Sequence, residues 1–157
     1  MQADVVKRRE KIESYKKIVL ENRRNDNDRV LEYCHKIIEL ADETGDEDAL
    51  GFAYFYIGEV EYLTNSIDEM FDSMLNALRY LGNSGQWYLA ARVYNVMGIT
   101  SVSRGNTVAA MEYYMSGLYI CEEHDVKSVQ SSIELNLGYL HLDAGVYKEA
   151  EEYFLKA

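Results

Sequence analysis

The chain contains no proline in its 157 residues. Proline and glycine punctuate loops, so a chain without proline fits a run of helices joined by short turns. Cysteine is scarce: Cys34 and Cys121 stand far apart, which reads as two reduced, half-buried thiols and not as a disulfide framework. Uninterrupted apolar runs are missing. None approaches the roughly 18 residues that would span a bilayer, and the charged start VKRREK has no apolar segment behind it that would make a secretory signal. A membrane and an export route are therefore set aside, and a cytoplasmic protein is expected. Positive charge is also in deficit. The net charge is −11 and the pI near 4.7, the wrong sign for nucleic acid, whose phosphates demand a basic surface.

The charge is unevenly spread. Residues 1–24 hold eight basic side chains against four acidic ones, a net of +4, so the rest of the chain carries −15. A basic first helix on an acidic body suits an acidic partner or a second copy of the chain, so a homodimer is one expectation. The plainer alternative is a solvated helix face with i,i+4 ion pairs.

With 48% hydrophobic residues the chain can bury a continuous core. Its organisation is set by a repeat. The stretch Glu134–Ala157 reads as two amphipathic helices joined at Gly145. The same pattern recurs 40 residues back around Gly98 and again around Gly58. Met70, Ala110 and Ala150 share one phase; Met74, Tyr114 and Phe154 share another; Ala77, Gly117 and Ala157 a third. A fixed period in this range marks a stacked helical-repeat protein. NDND at 25–28 supplies a break and an N-cap, and Gly45, Gly85 and Asp125 share the phase where a helix stops. Four helical hairpins follow, at about 3–44, 46–83, 86–124 and 126–157, in one continuous domain. Helix hairpins cannot bury both faces alone, so they stack. An interior glycine costs about 1 kcal/mol against alanine. Gly58, Gly98 and Gly138 therefore need a packing reason, and we expect them to cross close to Ala77, Gly117 and Ala157, with Met74, Tyr114 and Phe154 filling the gap beside each.

These residues carry a family resemblance. Leu137, Gly138, Ala150, Phe154 and Ala157 resemble the tetratricopeptide-repeat signature, and the unit at 91–124 matches with Tyr94, Met97, Gly98, Ala110, Tyr114 and Gly117. The unit at 51–83 matches at Tyr54, Ile57, Gly58 and Ala77, whereas the first hairpin places Ile18 at the glycine phase. The period of 40 exceeds the family's usual 34 or so, and its closing proline is absent. The resemblance implies an all-α fold of about eight helices wound as a right-handed superhelix of antiparallel hairpins. A narrower likeness lies in the basic first helix and in NDNDRVLEYCHKIIELAD, LGFAYFYIGE and CEEH. These are similar to the sensory arrays that precede the GGDEF domain of bacterial diguanylate cyclases. No GGDEF stretch is present, and the chain ends within a helix still in progress, which reads as a piece of a longer protein. The implied function is non-enzymatic: a protein- or peptide-binding regulatory module of a bacterial signalling protein, the alternatives being a free-standing adaptor or part of a transcription regulator.

No catalytic constellation stands out. Cys121 and His124 sit three apart, but no second ligand pair accompanies them, and CxxC, HExxH, GxSxG and P-loop patterns are absent. We therefore expect no cofactor, no metal and no enzyme. Gly82-Asn83-Ser84-Gly85 reads as a helix-to-helix turn. The resemblance places a binding groove on the first helix of each hairpin. Its lining would be Phe52, Phe55, Tyr56, Glu59 and Tyr62, then Arg92, Asn95, Val96 and Ile99, then Ser132, Asn136 and Tyr139. Aromatics interleaved with Asn and one Arg suit an extended peptide, since Asn pairs with backbone amides and Arg with a carboxylate. The alternative is that these aromatics pack on the N-terminal helix or on another subunit.

Overall fold

In a computed structural model that describes all residues from Met1 to Ala157, the chain is all-α. Its eight helices are α1 (Gln2–Asn22), α2 (Asn27–Thr44), α3 (Glu47–Leu63), α4 (Ile67–Ser84), α5 (Trp87–Ser103), α6 (Thr107–His124), α7 (Lys127–Asp143) and α8 (Tyr147–Lys156). Helices α1 with α2, α3 with α4, α5 with α6 and α7 with α8 form four hairpins with boundaries within a few residues of those the repeat implies. The chain groups into two compact units, Met1–Gly85 and Gln86–Ala157, where the period alone suggests one uninterrupted array.

The joints explain the regularity. Gly45, Asn65, Gly85, Gly105, Asp125 and Gly145 all take positive φ, and they fall 20 residues apart. Glycine enters this left-handed region freely, and Asn and Asp do so at modest cost. Each takes the chain out of its helix in one step, with no need of proline. Side-chain caps start several helices: the Asp26 carboxylate accepts from Arg29 N–H at 2.9 Å, Asp46 from Ala49 at 3.0 Å, and Asn106 from Ala109 at 3.1 Å. One detail differs from the sequence reading. Gly82, Asn83 and Ser84 continue α4, and only Gly85 leaves the helix.

In the first unit Ile12 and Val19 of α1, Val30, Cys34 and Ile37 of α2, Phe55 of α3 and Met70, Met74 and Leu81 of α4 are buried. In the second unit Ala91, Ala110, Tyr114, Cys121, Ile133 and Leu137 form the centre of one apolar cluster. Both cysteines are fully buried, not half-buried. Desolvation pushes the Cys34 thiol up to about 12. Burial, with Glu122 and Glu134 adding to it, pushes Cys121 up to about 11.

The nearest side chains to the interior glycines are the large ones of the Met74 phase, as expected, and not the small ones of the Ala77 phase. A Cβ on Gly58 would run into the Met74 side chain, one on Gly98 into the Tyr114 ring and one on Gly138 into the Phe154 ring. Each glycine is a notch that receives a large side chain from the following helix.

Candidate functional site

In the first unit the expected groove is occupied by α1. Phe52, Phe55 and Tyr56 are buried, with Phe52 and Tyr56 ring centroids 4.6 Å apart and the Phe55 ring edge-on to Tyr56 at 5.0 Å. Lys16 of α1 stands 5.5 Å above the Phe52 ring and Arg23 5.5 Å above Tyr56. Lys16 also binds Asp48 at 2.8 Å and Glu13 at 3.0 Å, and Arg23 donates to Glu59 at 2.7 Å. Burial presses the Lys16 ammonium downward, but its hydrogen bonds to Asp48 and Glu13 outweigh this and hold it above its usual pKa. The basic helix thus lays two cations over aromatic faces and anchors them on carboxylates. The N-terminal helix and its end cover Phe52, Tyr56 and Glu59, and Phe55 is fully buried beside Tyr56; Tyr62 is half-buried.

In the second unit none of the corresponding side chains is fully buried: Ser132 and Tyr139 are exposed and the others half-buried. Arg92, Asn95, Val96 and Ile99 lie on α5 and Ser132, Asn136 and Tyr139 on α7, a spacing of three or four that keeps each set on one face. The Asn136 Nδ2 amide donates to the Asn95 side-chain Oδ1 at 2.8 Å, tying the two helices together. Tyr139 is 54% exposed and meets the Phe154 ring edge-on at 5.2 Å. Arg92 is half-buried, with its guanidinium 5.6 Å from the Tyr88 ring. Ser132 is exposed, and its hydroxyl is turned back onto the Ser128 carbonyl at 3.3 Å. Ile99, Asn136 and Tyr139 line a cavity of about 300 Å³ with Ser103, Leu140 and Asp143. Five of the groove residues named from the sequence (Arg92, Asn95, Ile99, Asn136 and Tyr139) therefore belong to one two-helix face. It can receive an extended chain: an amide pair to meet backbone groups, an exposed aromatic and an apolar recess.

A second cavity, which the sequence reading does not single out, lies where the start of α6 faces the end of α7. It measures about 760 Å³ and is bordered by Val102, Val108, Met111, Leu140 and Ala144, with Thr107, Glu112, His141 and Asp143 as its polar groups. Val102, Leu140 and Asp143 border both cavities. His141 stacks on Tyr153 at 5.4 Å. The available signal was the apolar pair Val108 and Met111 outside the repeat's core phases. Cys121 and His124 do not face one point: Cys121 is in the core, and exposed His124 stacks on Trp87 at 3.8 Å. No group of three or more His, Cys, Asp or Glu is arranged to hold a metal ion, and no helix is long and apolar enough to cross a membrane. No protein-family model and no curated protein matches the chain.

Proposed function

We propose that this chain is a non-enzymatic module that binds an extended segment of a protein partner across α5 and α7. The observation that carries the reading is the Asn95–Asn136 pair at 2.8 Å, next to exposed Tyr139 and the 300 Å³ recess. A side-chain amide that already fixes its neighbour is held in place for a peptide backbone, so little ordering cost remains on binding. The tetratricopeptide-like signature supports the same reading, since arrays of that kind bind peptides on these helices. Its further likeness to the sensory arrays of bacterial diguanylate cyclases extends the proposal to a regulatory role in the cytoplasm, with peptide capture as the input.

Panning a displayed random-peptide library on the 157-residue chain tests the proposal. Enriched peptides should bind with an affinity that Asn136→Ala or Tyr139→Ala lowers by about tenfold, equivalent to about 1.4 kcal/mol, read by fluorescence anisotropy. Phe55→Leu, a buried change in the first unit, should leave that affinity unaltered. Failure to enrich any peptide, or peptides indifferent to both α7 variants, would sink the proposal.

A further inference from the structure

We propose that the chain associates with a second copy of itself, seating the exposed N-terminal end of α1 from one copy on the acid-edged cavity between α6 and α7 of the other. This cavity adjoins the α5–α7 face of the peptide-binding reading and shares Val102, Leu140 and Asp143 with its recess, whereas α1 takes no part in that reading.

The argument begins with α1. Its first buried residue is Ile12, and residues 1–11 are all exposed. Within that stretch Val5 and Val6 are 38% and 54% exposed, followed at once by Lys7, Arg8 and Arg9. Arg8 is held by Glu43 at 2.6 Å, whereas Lys7 and Arg9 have no carboxylate partner in their own chain. Three helical turns that bury no side chain are marginal in water. Their valines and unpaired cations make a surface that lacks its complement.

The 760 Å³ cavity offers that complement. Its walls are Val102, Val108, Met111 and Leu140, its charged edge is Glu112 and Asp143, and neither Lys nor Arg borders it. Val108 is 70% exposed, so the apolar wall opens outward. A cavity of this size takes several side chains. On a helix, Arg9 stands one turn beyond Val5 and Val6, at i+4 and i+3. This places an apolar pair and a cation at the separation that an apolar cavity with a carboxylate edge receives. Both halves of the match are carried by the same chain, so a second copy supplies everything the contact needs. The contact joins unlike surfaces, and it closes into a dimer where each copy gives its α1 to the other.

Sedimentation of the full chain over a range of concentrations tests this. The expected result is reversible association that weakens as salt rises. Val6→Glu, the pair Lys7→Glu/Arg9→Glu, and the pair Glu112→Lys/Asp143→Lys should each weaken it by about tenfold. Mixing the two charge-reversed proteins should restore association, because the reversed charges meet again. All these positions are exposed, and acidic residues near a helix N-terminus favour the helix, so circular dichroism should be unchanged. A chain that stays monomeric at every concentration would overturn the proposal. So would association that salt and all three variants leave untouched, or a mixture that fails to re-associate.

Discussion

At the scale of single residues, the three notch glycines are not equivalent, although the sequence writes them at one phase. Gly98 and Gly138 receive rigid rings, Tyr114 and Phe154, while Gly58 receives the flexible Met74, whose Cε would lie 2.9 Å from an added Cβ. Alanine at any of them gains about 1 kcal/mol of helix propensity. At Gly98 the ring cannot yield without leaving its rotamer, and overpacking of that kind costs about 1–3 kcal/mol. Gly98→Ala should therefore lower stability by up to about 2 kcal/mol, whereas Gly58→Ala should be neutral or slightly stabilising because the methionine end can swing aside. Urea denaturation of the two variants side by side checks the contrast. Equal losses would mean that the glycines serve backbone approach and not side-chain reception.

At the scale of elements, α1 is defined by what holds it down. Only Ile12 and Val19 are buried along its 21 residues, so its attachment rests heavily on Lys16 and Arg23. Replacing Lys16 with alanine removes an ion pair to half-exposed Asp48 and a cation over the Phe52 ring. Each is worth up to about 1 kcal/mol. Lys16→Ala should cost about 1–2 kcal/mol and speed amide exchange along α1 before it does so in α3 or α4, which hydrogen–deuterium exchange would resolve. Uniform exchange across the unit would contradict this order.

The same helix shows where sequence reading stops. The 40-residue phase gave the hairpins, the joints at Gly45, Gly85, Gly105 and Gly145 and the large residues Met74, Tyr114 and Phe154, because these are set by local turn chemistry and periodic burial. The family resemblance, applied at that phase, grouped Arg92, Asn95, Ile99, Asn136 and Tyr139 on the faces of α5 and α7. It did not decide that Lys16 and Arg23 close over Phe52 and Tyr56, because an exposed cation and one lying on a ring look identical in sequence. Nor did it show the α6–α7 cavity, whose walls come from helix ends that the repeat phase does not constrain.

At the scale of the whole molecule, alkaline pH is the condition that weakens both units together. Each holds one buried thiol raised above its ordinary value near 9, to about 12 for Cys34 and about 11 for Cys121. Above pH 9 or so the unfolded chain releases protons that the folded chain retains, so stability falls as pH rises. Lys16 acts in the same sense: its raised folded pKa contributes stability below the usual lysine value that is lost as pH climbs through the folded one. The melting temperature should therefore decline steadily from pH 9 upward, and Cys34→Val should flatten the decline. A flat profile in the parent chain would remove the thiols from the account.

The six left-handed joints, spaced 20 residues apart, also bear on how such a chain can change its length. An insertion or deletion of one residue inside a helix rotates everything after it by about 100°, taking the buried stripe away from its neighbour. A segment of two helices copied from joint to joint does no such harm, because it begins and ends in the same backbone conformation and returns the stripe to its old phase. The architecture therefore penalises small length changes within its helices and admits growth by whole tandem duplications, a mode of inheritance that would itself leave a spacing as uniform as the one in this chain.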